Sequence, residues 1–130
     1  MTYLVDTDRV VDYLKGKPNA VELLTRLASK GLAISIITFG EIYEGIYFGQ
    51  DPKKAEKGFI QFLRGVSVLS LSRKIMKNFA LIRGTLRQKG ELIGDLDMMI
   101  AAIAIGYDLV LISGNKKHFQ KVKELKLFDA

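Results

Sequence analysis

The chain has 130 residues, 48% of them hydrophobic and 26% charged, with a net charge of +6 and no cysteine. That balance suits one globular domain spanning 1–130, and it excludes disulfides and thiolate metal sites. With a single histidine, His118, a zinc centre lacks ligands, so any metal must be held by oxygen, which favours magnesium or manganese. No apolar run is long enough to cross a bilayer, and Met1-Thr2-Tyr3-Leu4 lacks a signal-peptide layout, so a cytoplasmic protein with no membrane contact is expected. The basic surplus points to a polyanion such as nucleic acid, ahead of an acidic protein partner or a membrane surface.

Tyr3-Leu4-Val5 reads as a short apolar strand ending on Asp6-Thr7-Asp8. A helical segment from Arg9 to Leu14 follows and breaks at Lys15-Gly16-Lys17-Pro18. Asn19 is placed to cap the next helix, with Glu22 in the capping-box position and Leu23, Leu24 and Leu27 on one face. Gly31 sits where a left-handed residue ends a helix. The β-branched run Leu32 to Thr38 predicts the second strand, leading into a helix opened by Gly40-Glu41 and carrying Ile42, Tyr43, Ile46 and Tyr47.

Asp51-Pro52 starts another helix, acid at the cap and proline in the first turn, with Phe59, Phe62 and Leu63 as its core face and Gly65 as its end. Val66 to Leu71 alternates like a strand exposed on one side. Ser72 begins a long helix in which Ile75, Phe79, Ile82 and Leu86 recur at helical spacing, while Arg73, Lys77, Arg83 and Arg87 fall on the other side. Next comes Asp95-Leu96-Asp97 in front of the uninterrupted run Met98 to Ile105. A helix without a polar face must be packed all round, which makes a rigid mount for Asp97, and Asp95 is the expected N-cap. Leu109 to Ile112 is the last clear strand, ending in Ser113-Gly114-Asn115, and the tail through Phe119, Val122, Leu125 and Leu127 suggests a short helix and an edge strand.

Strands alternating with helices predict an α/β fold of three layers, α/β/α, around a central, mainly parallel sheet. Ligands of such sheets bind at the carboxyl ends of strands. Asp6 leaves the first strand, Glu41 follows the second, Asn115 ends the last, and the Asp95–Asp97 loop can reach the same edge. Carboxylates gathered at one edge repel each other unless a cation sits among them. A divalent ion held by oxygen ligands can activate water against a phosphodiester. Acids at a sheet edge in a basic, cysteine-free chain therefore point to metal-dependent phosphodiester hydrolysis.

Taken in order, Leu4-Val5-Asp6-Thr7-Asp8, Thr38-Phe39-Gly40-Glu41, Ile93-Gly94-Asp95-Leu96-Asp97-Met98-Met99-Ile100-Ala101-Ala102 and Ile112-Ser113-Gly114-Asn115 resemble the PIN-domain ribonucleases. The resemblance is nearest to their VapC-like members, the toxins of type II toxin–antitoxin pairs, and it covers essentially the whole chain. It implies a cytoplasmic endoribonuclease that cleaves single-stranded RNA with one or two Mg²⁺ or Mn²⁺ ions. By that match Asp6, Glu41 and Asp97 are the family's catalytic and metal-binding acids, and Asp95 an auxiliary acid two residues before the third. Thr7 and Ser113 match hydroxyl positions that line the pocket. Asn115 stands at the fourth acidic position, where an amide brings an oxygen but no charge, which puts a second metal site in question. The resemblance also implies a cognate antitoxin and a homodimer.

Around this core, Lys116 and Lys117 are candidate phosphate contacts, and the basic side formed by Arg73, Lys77, Arg83 and Arg87 is a candidate RNA track. Asp8 and His118 read as bland. Tyr43, Tyr47, Phe48, Phe59 and Phe62 read as core, with a groove for an antitoxin segment as the alternative. Competing readings are a PIN nuclease of RNA maturation without an antitoxin, and a non-catalytic RNA- or protein-binding module of the same fold. A phosphoacceptor receiver domain also gathers acids at a sheet edge, but Ser113-Gly114-Asn115 replaces the lysine it needs there.

Overall fold

A computed structural model describes residues 1–129. Its first half runs β1 (Tyr3–Val5), α1 (Thr7–Leu14), α2 (Pro18–Leu27), β2 (Leu32–Ser35), α3 (Ile36–Tyr47), α4 (Pro52–Leu63) and β3 (Val66–Leu69). The second half adds α5 (Arg73–Gln88), α6 (Asp95–Gly106), β4 (Val110–Ile112), α7 (Lys116–Phe119) and β5 (Lys126–Leu127). The five strands form one sheet in the order β3-β2-β1-β4-β5, and every pairing is parallel. The chain therefore builds outward from β1 on one side, then returns to build outward on the other. The strand ends on either side of β1 form the crevice where open parallel sheets place ligands.

Strand side chains alternate between two cores. Tyr3, Val5, Leu32, Ile34 and Ile112 face α1 to α4, where Val10, Leu24, Ile42 and Phe59 pack against them. Leu4, Ala33 and Leu111 face α5, α6 and the tail, where Ile82, Ile103, Phe119 and Val122 meet them. Because both faces are covered, β1 and β2 are buried throughout, whereas the edge strand β3 exposes Ser67 and Val68.

α6 is enclosed as its composition predicts. Met98 and the stretch from Ile100 to Ala104 are all 0% exposed. α5 runs antiparallel along it. Ile75, in the first turn of α5, meets the last residue of α6, Gly106, while Arg83, well along α5, pairs with Asp95 at the start of α6.

Several boundaries differ from the sequence expectations. Asn19 does not cap α2: Lys17 is the N-cap without a side-chain bond, and Pro18 takes the first turn, where its missing N–H has no intrahelical partner to lose. Glu22 instead pairs with Arg26 one turn on. β2 stops at Ser35 rather than Thr38, because the Ser35 hydroxyl accepts from the Thr38 N–H at 2.9 Å and starts α3 there. Local capping overrides the β-branched pattern of Ile36-Ile37-Thr38, so Glu41 lies in the second turn of α3 rather than at its opening. α1 begins at Thr7, capped by Asp6, and β3 stops at Leu69. At α6 the N-cap is Gly94, which places Asp95 as the first helical residue. The caps at Asp51 and Ser72 stand where predicted.

Candidate active site

Asp6 is the centre of the carboxyl-edge crevice. It leaves β1 with its backbone N–H held by the Ile112 carbonyl of β4 at 2.9 Å, and it is 5% exposed. Its Oδ1 accepts from the Thr7 N–H at 2.8 Å, the first N–H of α1 rather than the second or third that an N-cap usually takes. Its Oδ2 accepts from Ser113 Oγ at 2.7 Å. The same Ser113 oxygen accepts from the Asn115 N–H at 2.9 Å, so the hydroxyl joins the two loops that leave β1 and β4.

Burial pushes the Asp6 carboxyl up to about 6, with the negative charges of Asp8 and Asp97 adding to it, while the bonds from Ser113 and Thr7 act in the opposite sense. A buried carboxyl that feels two other carboxylates is the electrostatic signature of a site that gains from a cation.

Glu41 joins through Thr7. Thr7 Oγ1 donates to Glu41 Oε1 at 2.7 Å and shares a second bond of 2.9 Å with Thr38 Oγ1, itself 3.2 Å from Ser35 Oγ. With one proton per hydroxyl, the consistent order runs Ser35 to Thr38 to Thr7 to Glu41, each donating to the next. The buried hydroxyls that end β2 and start α3 thus orient the Glu41 carboxylate.

From the other side, Asp97 in the first turn of α6 presents Oδ2 3.6 Å from His118 Nδ1. Asn115 Nδ2 lies 2.9 Å from that same ring nitrogen. Asp8 fastens the mouth, accepting from the Gly114 N–H at 2.9 Å.

Asp6, Thr7, Glu41, Asp97, Ser113 and Asn115 therefore meet at one edge. Asp95 stands apart, because its Oδ1 accepts from Arg83 Nε at 2.9 Å in an exposed ion pair. That pair also occupies Arg83. Arg73 and Lys77 lie toward the Gly106 end of α6, away from Asp97, so of the basic side of α5 only Arg87 stands free toward the near end among the described residues. Lys117, two residues beyond Asn115, is exposed, and Lys116 lies 3.6 Å from Asp129.

Sequence reasoning passed over Arg9. Its guanidinium carbon lies 3.7 Å from where a Gly114 side chain would stand, and its Nε is buried without a partner among the described residues. The available signal was helical spacing, since Arg9 follows Asp6 by three residues and so shares its face. His118 also belongs to the site rather than to the bland background. Among the aromatics, Phe59 and Phe62 are buried as expected, whereas Tyr47 and Phe48 are 66% and 88% exposed. An open groove of about 640 Å³ runs between α1, α3 and α4, lined by Leu14, Ile42, Ile46 and Glu41 among others.

The donors are carboxylate, hydroxyl and amide oxygens, which fit a hard divalent cation. Among the described residues, no three Asp, Glu or His side chains form a ready-made cluster around a single point. The fit is therefore to an ion held by one or two carboxylates with water completing its shell, as magnesium is usually held.

A family profile for the PIN domain matches residues 3–125. The chain belongs to the PIN domain family. Ribonuclease VapC1 of Methanocaldococcus jannaschii is 37% identical over 128 residues, covering 97% of this chain and 86% of that protein. Ribonuclease VapC2 of Haemophilus influenzae is 30% identical over 128 residues, covering 97% and 96%. Among solved structures, VapBC2 from Rickettsia felis, bound to a DNA fragment from their promoter, superimposes with a TM-score of 0.92 at 27% identity, covering 100% of this chain and 99% of that one. The five-stranded parallel sheet with helices on both faces is this PIN fold.

Proposed function

We propose that this PIN domain is a metal-dependent endoribonuclease of the VapC type, the toxin of a toxin–antitoxin pair. The observation that carries the reading is the convergence of Asp6 with Asp97 and, through Thr7, Glu41 at the strand ends of a PIN fold. The likeness to ribonucleases VapC at 37% and 30% identity supports it. Asp6 and Asp97 are the residues that would hold Mg²⁺ or Mn²⁺, with Glu41 and the Asn115 amide oxygen at its periphery. A divalent ion held there supplies activation of water and neutralisation of charge on the phosphodiester.

The chain's own side chains do the rest. Ser113 and the Thr7 N–H fix both oxygens of Asp6, and the hydroxyl series ending at Thr7 fixes Glu41. These acids therefore need no reorganisation when substrate arrives. Lys117 and Arg9 flank the mouth and position phosphates of the RNA strand. Asp95, tied to Arg83, acts as an anchor for α6 rather than as a ligand.

The antitoxin reading rests on relatives such as the VapBC2 complex. The groove between α1, α3 and α4 sets Val11, Leu14, Ile42 and Ile46 beside the charged Lys15, Glu41, Asp51 and Lys54, which suits an amphipathic partner segment that reaches the site. Tyr47 and Phe48 stand exposed near the end of the same helix, α3.

Cleavage of a single-stranded RNA by the purified chain tests the proposal. Activity is expected with Mg²⁺ or Mn²⁺, to vanish with EDTA and to return on adding back Mn²⁺. Asp97→Asn is expected to abolish cleavage while leaving the melting temperature in chelator unchanged or raised, because one like charge leaves the crevice. Cleavage that survives thorough chelation overturns the metal mechanism. A marked loss of stability in Asp97→Asn assigns that acid to holding the start of α6 instead.

A further inference from the structure

Asn115 brings a carbonyl oxygen and an NH₂ group to the pocket, and only the oxygen can face a cation. The amide is not free to choose. Its Nδ2 sits 2.9 Å from His118 Nδ1, and its backbone N–H is held by Ser113 Oγ. An amide nitrogen only donates, so His118 Nδ1 must accept, which places the ring proton on Nε2. The single in-plane lone pair of Nδ1 is thereby used. Asp97 Oδ2, 3.6 Å from the same nitrogen, is an acceptor facing an acceptor, beyond hydrogen-bonding distance. The ring is therefore linked to the pocket through Asn115 and not through Asp97.

We propose that His118 is a positioning residue that holds Asn115 by its amide nitrogen and so reserves the carbonyl oxygen for a divalent cation in the acidic pocket. The inference rests on the reading that the pocket holds such an ion. It gives a physical answer to how an amide serves where a carboxylate would need no orienting. Both oxygens of a carboxylate can ligate. One end of an amide repels a cation, and a partner that ties down that end removes the wrong rotamer before the ion arrives. Spacing supplies the partner, because Asn115 precedes α7 and His118 lies within it, three residues on.

Two readouts that need no cleavage assay test this. The first is the histidine tautomer in the metal-free protein, read from long-range ¹⁵N–¹H correlations in mildly alkaline buffer. The proton is expected on Nε2. A proton on Nδ1 means the ring serves Asp97, and overturns the proposal.

The second is calorimetric titration of Mn²⁺ into wild type, Asn115→Ala, His118→Leu, His118→Asn and the Asn115→Ala/His118→Leu pair. His118→Leu is expected to weaken Mn²⁺ on the order of tenfold, as much as Asn115→Ala does, and the pair no more than either alone. His118→Asn, whose Oδ1 takes the place of Nδ1 as acceptor, is expected to restore binding to within about twofold of wild type. If His118→Leu binds Mn²⁺ like wild type, or weakens it further in the Asn115→Ala background, the positioning role is overturned and the metal site stands. If wild type binds no Mn²⁺, the metal reading itself fails, and this inference with it. His118 is half-exposed, so Leu and Asn are tolerated there, and the melting temperature of each variant in chelator separates a folding defect from a binding one.

Discussion

Asp6 carries the clearest consequence at the scale of single residues. Its carboxyl titrates near 6 in the folded chain against 3.8 for a free aspartate, with burial as the main cause. Ionising it costs the folded state more than the unfolded one. Its contribution to stability is therefore full below pH ~4 and is lost as pH rises through ~6. At ~1.4 kcal/mol per pH unit the loss amounts to about 3 kcal/mol in metal-free protein. Asn at position 6 keeps the cap on Thr7 and removes the charge. Urea denaturation in EDTA is expected to find Asp6→Asn no more stable than wild type at pH 4, and more stable by about 2–3 kcal/mol at pH 7. Equal pH dependence in both proteins contradicts this account of Asp6.

Gly114 gives a second prediction at this scale. A Cβ there falls 2.8 Å from Asp8 Oδ2, so Gly114→Ala displaces the carboxylate by which Asp8 holds the Ser113–Asn115 loop. Cleavage is expected to fall at least tenfold with little change in melting temperature, because the residue is exposed. Much of the site was legible in the chain, since Asp6, Glu41 and Asp97 each adjoin an apolar run whose burial fixes where they point. Hydrogen-bond partners were not legible. That Arg83 draws Asp95 away, or that His118 meets Asn115, depends on rotamers and on a fold that brings distant loops together.

Among the elements, the contact between α5 and α6 makes the sharpest claim. Gly106 ends α6 against Ile75, and an added Cβ would come 2.8 Å from Ile75 Cγ1, a side chain 4% exposed and unable to move aside freely. Helix propensity alone favours Ala over Gly by about 1 kcal/mol. Overpacking costs typically 1–3 kcal/mol and is expected to win here. Thermal denaturation of Gly106→Ala should show a lower melting temperature; a higher one means that α5 yields. Element types followed from periodicity and caps, and α6 in particular could be read as buried because it has no polar side to expose. Boundaries were lost where a local bond competed with a pattern. Ser35 shows this best: a β-branched run looked like more strand, yet one hydroxyl accepting from the Thr38 N–H begins a helix and moves Glu41 by a full turn.

At the scale of the whole molecule, a net charge of +6 makes RNA affinity a salt-dependent quantity. Arg87 and Lys117 are expected to contribute and Arg73 is not, because it lies toward the far end of α6 from Asp97. Binding of a non-cleavable RNA measured across salt concentrations should lose about one unit of log–log slope in Lys117→Ala or Arg87→Ala and none in Arg73→Ala. The strand order β3-β2-β1-β4-β5 has a consequence for how the protein comes into being. Asp6 and Glu41 belong to the part of the chain made first, whereas Asp97, Ser113 and Asn115 arrive last, and the bond from Ser113 to Asp6 spans 107 positions. A ribosome therefore has to pass Asn115 before the centre can exist, and β4 must pair with β1 to complete it. A nascent chain that stops short of Asn115 therefore lacks the pocket it needs to cut the RNA around it. Stalled chains cut at successive lengths, assayed on RNA, should be silent up to Ile112 and active only when Asn115 and the tail that packs behind it have cleared the exit tunnel.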